Sequence, residues 1–159
     1  MAVQQGLLLL TFSISTSAAE LGNPCPPSWI QATFVDMGCL FFGTDLYSWD
    51  LAGSFCQKEK NATLVEIINA VQFDYLQMHV EMLADHEGAM AWWIGGTDQG
   101  REGKWIWISS LTPVENFVWY PNFANAETAN CMYLDSINVG ANDAPCTRTY
   151  KPICQKIFQ

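Results

Sequence analysis

Apolar residues recur along this chain at two spacings, and each spacing predicts an element. Trp29–Val35 and Gly38–Phe42 are β-type runs separated by Asp36-Met37-Gly38, which predicts a first hairpin. From Trp49 the spacing becomes helical. Trp49, Ala52, Phe55 and Cys56 share one face of a helix that Ser48 is placed to cap and that runs to about Lys60. Leu64–Ile68 is a short β run. Phe73, Leu76, Val80 and Leu83 then repeat at three- and four-residue steps. They predict a second helix, capped by Asn69 and stopped by Asp85–Gly88.

The densest apolar stretch follows. Ala91–Ser110 holds Trp92, Trp93, Trp105 and Trp107, four of the chain's seven tryptophans. Ala91–Gly95 and Lys104–Ile108 predict two strands of a core hairpin, rich in aromatic and β-branched residues. The polar turn between them, Thr97–Gly103, carries Asp98 and Glu102. Beyond Ser109 the pattern breaks up, and the strand candidates are Phe117–Tyr120, Met132–Leu134 and Pro152–Lys156. Residues 109–130 read as a long irregular loop, the kind of segment that carries function in a compact domain.

Composition narrows the class. The chain has 159 residues, half of them apolar, enough for one domain with a sizeable core. A formal net charge of −9 argues against a nucleic-acid partner or an anionic membrane surface, both of which need a basic face. Residues 1–19 read as a signal peptide, with an apolar run at Leu7–Ile14 and small residues Ser17-Ala18-Ala19 at the cleavage site. That run is too short to span a bilayer, and no later stretch is long enough. The expectation is a secreted protein whose single domain occupies residues 20–159.

Six cysteines, Cys25, Cys39, Cys56, Cys131, Cys146 and Cys154, remain in that domain. An even number in an exported domain implies three disulfides, but spacing alone leaves the pairing open. There is no CxxC pair, and His79 and His86 lie on the second helix far from any cysteine in sequence, which argues against zinc. No triad arrangement or phosphate loop stands out, so an enzyme is not expected. Asn61-Ala62-Thr63 is an N-glycosylation sequon at a helix end. Asp98 and Glu102 read either as a solvated loop or as oxygen ligands for a hard cation.

Taken together, Cys25-Pro-Pro-Ser-Trp29, Trp49-Asp-Leu-Ala52 with Cys56, Leu64-Val-Glu-Ile67, Trp93-Ile-Gly95, Glu102-Gly-Lys-Trp105-Ile-Trp107, Asn130-Cys131 and Asn142-Asp143-Ala-Pro-Cys146 with Ile153-Cys154 resemble the C-type lectin-like domain family. The style is that of its small secreted single-domain members from invertebrates. The resemblance runs from about Cys25 to Lys156. It implies an α+β fold with two helices packed on antiparallel sheets and a long irregular loop region. It also implies the pairing Cys25–Cys39, Cys56–Cys154 and Cys131–Cys146.

For function, the resemblance implies a carbohydrate-binding lectin. In sugar-binding relatives a calcium ion sits in the long-loop region and is coordinated jointly by protein oxygens and sugar hydroxyls. Here Asn142-Asp143 matches the family's Asn-Asp pair. The family's acid-Pro-Asn triplet falls on Phe123-Ala124-Asn125, which keeps only the asparagine. A second register places Tyr120-Pro121-Asn122 there. Ala129 replaces the usual acid two residues before Cys131, and Glu127 stands nearby as its substitute. The expected calcium and sugar ligands are therefore Asn125, Glu127, Asn142 and Asp143, with Asp98 and Glu102 at an accessory calcium site. The expected partners are glycans on cell or microbial surfaces, as for a soluble recognition molecule of innate defence. The alternative is a protein-binding or matrix module that keeps the fold without the calcium chemistry.

Overall fold

The structure is a computed structural model, and it describes residues 24–87, 90–115, 118–121 and 126–158. Two helices lie against one mixed sheet. The strands are β1 (Ile30–Gln31), β2 (Cys39–Phe42), β3 (Thr63–Leu64), β4 (Ala91–Thr97), β5 (Ile106–Trp107), β6 (Cys131–Asp135), β7 (Ala141–Ala144) and β8 (Lys151–Lys156). The helices are α1 (Trp49–Lys60) and α2 (Ala70–Glu87). The sheet runs β1-β2-β8-β4-β6-β7, with β3 added to β8 and β5 to β4. Among the described residues no helix is long and apolar enough to cross a membrane.

The tryptophan stretch forms the expected core hairpin, with Gly96 opposite Trp107 and Thr97 opposite Ile106. Its first strand, β4, is the hub of the sheet. It pairs antiparallel with β5 and β6, and parallel with β8 through Trp92↔Lys151 and Trp93↔Pro152. The strands otherwise pair antiparallel, as expected, and the β4–β8 pair makes the sheet mixed. A parallel pair needs a long connection, and residues 98–150, with the loops and β5–β7, supply it.

Because β4 is covered on both sides, its side chains alternate between two cores. Trp92 and Ile94 pack with Phe73, Leu76 and Val80 of α2. Trp93 packs on the other side with Trp49, Ala52 and Cys56 of α1. Both indoles buried beside α1 have acceptors: Trp49 Nε1 donates to Ile94 O at 2.8 Å, and Trp93 Nε1 donates to Tyr47 O at 2.8 Å.

The first hairpin is shorter than the apolar pattern predicts. Beyond Gln31 the chain does not stay extended but curls into a 3₁₀ turn at Thr33–Val35. The Val35 and Met37 amides both donate to Ala32 O, at 3.2 and 3.0 Å, and Ala32 N–H closes the loop onto Gly38 O at 2.8 Å. Gly38 has φ +65°, and a Cβ there would sit 2.2 Å from the Lys156 carbonyl oxygen, so only glycine lets β2 lie this close to β8.

Ser48 stands at the N-cap of α1, but its hydroxyl makes no cap hydrogen bond. One orphan donor is met by backbone instead, with Trp49 N–H donating to Cys146 O at 3.0 Å, and the helix's own bonds begin with Ala52 N–H to Ser48 O at 2.8 Å. At α2 the cap is a side chain, with Gln72 N–H donating to Asn69 Oδ1 at 3.0 Å. Asn69→Ala should therefore cost about 1 kcal/mol in chemical denaturation, while Ser48→Ala should cost much less. Equal losses would contradict these cap assignments.

All three expected disulfides are present, Cys25–Cys39, Cys56–Cys154 and Cys131–Cys146. Of the β run expected at Leu64–Ile68 only Leu64 is in a strand, the two-residue β3 that it forms with Thr63. Of the Phe117–Tyr120 candidate, Phe117 lies outside the described residues. Trp119 makes a single bridge to Ala141 rather than a strand.

Candidate functional site

Three segments meet at one end of the central strands. β4 ends at Thr97, which faces Cys131 at the start of β6, and Cys131 in turn faces Ala144 of β7. Asp98, Asn130 and Asp143 lie within a residue of those partners, so the register alone gathers them. Side-chain and backbone hydrogen bonds tie the ends together. Thr97 Oγ1 donates to Asn130 O at 2.7 Å, and Asp98 N–H donates to the same carbonyl at 3.3 Å.

The polar turn after β4 folds around the Asp98 carboxylate. Gly103 N–H donates to Asp98 Oδ2 at 2.8 Å, and Arg101 N–H donates to Asp98 O at 2.9 Å. Gly103 takes φ +70°, which lets the turn come back on itself. The result contradicts the picture of Asp98 as a solvated loop residue, because only 2% of it is exposed. Its other oxygen, Oδ1, is buried without a hydrogen-bond partner among the described residues, and so is Oδ1 of Asn130.

A buried, unpartnered acceptor is costly, and these two stand among carboxylates. Burial is the main cause that raises the Asp98 carboxyl above the usual range; the Gly103 N–H opposes it, and the Asp143 charge adds to it. Glu102 is raised too, first by loss of water around it and then by the charges of Asp98, Glu127 and Asp143. The charge of Asp143 thus acts on Asp98, and those of Asp98, Glu127 and Asp143 act on Glu102, across what the sequence pattern divides into a principal and an accessory site. Asp143 also holds the long loop: its Oδ2 accepts Ala126 N–H at 2.9 Å. Glu127, the next residue, is exposed.

Asn142 is half-buried on β7 opposite Tyr133. Asn125, with Phe123 and Asn122, lies outside the described residues. Trp119 is half-buried and packs edge-on against Trp105, with ring centroids 4.8 Å apart. Asn130 enters the sequence pattern only as part of Asn130-Cys131 and not among the expected ligands. Its place directly before Cys131 is the one signal that points to it. Among the described residues no three Asp, Glu, His or Cys side chains are close enough together to hold a metal ion as they stand.

The fold and this loop-built end define a lectin-like domain. The description Lectin C-type domain matches residues 45–156, and the chain belongs to that family, whose domains are non-enzymatic and bind carbohydrate. It is 28% identical over 127 residues to salivary C-type lectin 2 of Aedes albopictus, covering 72% of this chain and 81% of that protein. Of another relative it spans only 32% of the length. Among solved structures, the mouse scavenger receptor C-type lectin carbohydrate-recognition domain superposes with a TM-score of 0.70 at 25% identity, covering 85% of this chain and 98% of that one. A calcium-independent type II antifreeze protein superposes with a TM-score of 0.68 at 26% identity, covering 84% of this chain and 94% of that one.

Proposed function

We propose that this protein is a secreted lectin that recognises surface glycans with the help of calcium, as a soluble recognition molecule of innate defence. One observation carries the calcium part of the reading: two buried oxygens, Asp98 Oδ1 and Asn130 Oδ1, have no hydrogen-bond partner among the described residues, and the charge of Asp143 acts on Asp98. The donor set is all oxygen, which suits a hard cation and not zinc or copper. Bound there, calcium would supply positive charge and empty coordination positions. The chain's own part is to fix Asp98 by the Gly103 N–H and to anchor the long loop through Asp143 and the Ala126 N–H.

The sugar itself would be taken by Asn125, Glu127, Asn142 and Asp143, acidic and amide groups suited to paired hydroxyls. Secretion is supported by the Met1–Ala19 pattern and by three formed disulfides that leave no free cysteine among the described residues. Asn61 is exposed at the end of α1 with a left-handed φ of 48°, an accessible place for a glycan.

Calcium-dependent melting tests the proposal. Calcium at one hundred times its dissociation constant should stabilise the folded chain by about 2.7 kcal/mol, seen as a melting temperature several degrees higher and reversed by chelator. An unchanged melting temperature at millimolar calcium would instead favour the second reading, a lectin fold that binds protein or serves a matrix without calcium. That reading has its own support: the carboxylates do not converge as they stand, and a calcium-independent antifreeze protein shares the fold.

A further inference from the structure

The outer face of α2 carries an apolar pattern of which the core uses only Tyr75, half-buried against it, and which glycan binding does not use. Val71, Tyr75, Met78 and Met82 follow one another at steps of four, three and four, which keeps them on one stripe. Val71 is 63% exposed, Met78 46% and Met82 49%, and Tyr75 is half-exposed. Phe34, 74% exposed, extends the stripe by packing edge-on against Tyr75 at 5.1 Å. The buried side of the same helix, at Phe73, Leu76 and Val80, faces the core, so the stripe is a second apolar face. Contiguous exposed apolar surface of this kind marks a binding site more often than idle surface.

Beside the stripe runs a row of carboxylates. Asp74, Glu81 and Asp85 are exposed one step around the helix, and α2 carries no lysine or arginine. The charge pattern selects the occupant. A second copy laid antiparallel would set this carboxylate row against the same row, and the chain is already at −9. An anionic membrane would be repelled for the same reason. A helix with an apolar face flanked by lysine or arginine would satisfy both features at once. Methionines suit such a groove because they repack around different apolar side chains.

We propose that the outer face of α2, through Val71, Tyr75, Met78 and Met82 with the row Asp74, Glu81 and Asp85, docks a cationic amphipathic helical peptide. The α2 helix spans about 27 Å, so it matches a peptide of similar length. This surface belongs to α2 and the 3₁₀ turn, and the proposal stands apart from the glycan reading.

The test uses the full-length secreted protein and a fluorescein-labelled, 18-residue leucine–lysine amphipathic peptide, followed by anisotropy. The peptide should bind at micromolar concentration and weaken roughly tenfold between low and moderate salt, as expected for a charge-assisted contact. A leucine–glutamate peptide of the same length should not bind. Met78→Gln with Met82→Gln should weaken binding at least tenfold. Glu81→Gln with Asp85→Asn should weaken it and flatten the salt dependence. All four positions are exposed, so unchanged melting temperatures verify that the variants are folded. Wild-type affinity in the methionine variant would overturn the proposal, because the peptide would then be held by the general negative charge alone. A dimer in sedimentation that the methionine variant dissolves would also overturn it, in favour of a second copy.

Discussion

Replacing Cys56 and Cys154 together by alanine is expected to lower stability by about 4 to 5 kcal/mol. The bridge joins residues 98 apart in sequence, far more than the 14 and 15 of the other two, and the entropy of the unfolded chain grows with the loop it closes. Its position adds to that. Both sulfurs are in the core, and β8, which carries Cys154, pairs with β2, β3 and β4. The bond therefore fastens α1 to the strand on which most of the sheet depends. Removing Cys25–Cys39 or Cys131–Cys146 should cost about 3 kcal/mol each. Denaturant midpoints measured on the three double variants give the ranking, and a loss for the Cys56–Cys154 pair no larger than for the short loops would contradict it.

Asp98→Asn should move stability in opposite directions with and without calcium. Without calcium, the substitution removes a buried charge that sits near Asp143 and Glu102, while an amide oxygen can still accept the Gly103 N–H. The calcium-free melting temperature should rise. With calcium, the variant should lose the gain of about 2.7 kcal/mol expected of the wild type at saturating ion, because the site has lost its most buried carboxylate. Differential scanning calorimetry with calcium and with chelator reads both arms. A variant that melts lower than the wild type in chelator would mean that the Asp98 charge is structural. A variant that keeps the calcium increment would place the ion elsewhere.

Much of this architecture is legible in residue spacing. The periods of α1 and α2 follow from residues such as Ala52, Cys56, Leu76 and Val80, which need only a buried face to be recognised. β4 is legible as a buried run but not as the hub of the sheet, because an apolar run records burial and not the identity of its neighbours. β7 is not legible at all. Its Ala-Asn-Asp-Ala lacks β-branched or aromatic residues, and it is a strand because β6 pairs with it and Cys131–Cys146 holds its end. The disulfide pairing followed from the family resemblance, since six cysteines by themselves allow many connectivities.

The candidate site shows the same division. Asp98 sits in a glycine-rich polar turn, and nothing local says that it is buried; the turn closing through Gly103 onto Asp98 Oδ2 buries it. The grouping of Asp98 with Asp143 depends on the register of β4, β6 and β7, which sets Thr97 against Cys131 and Cys131 against Ala144. Asn130 has no distinctive local pattern and acquires its interest only when its buried oxygen is found without a donor.

Glycan recognition supported by calcium at the loop end of β4, β6 and β7 can be read from a glycan array run with this protein in calcium and in chelator. Retention on a defined set of glycans is expected in calcium, with loss of that retention in chelator and in Asp143→Ala. Retention that persists undiminished in chelator, or no retention on any glycan in calcium, would contradict it.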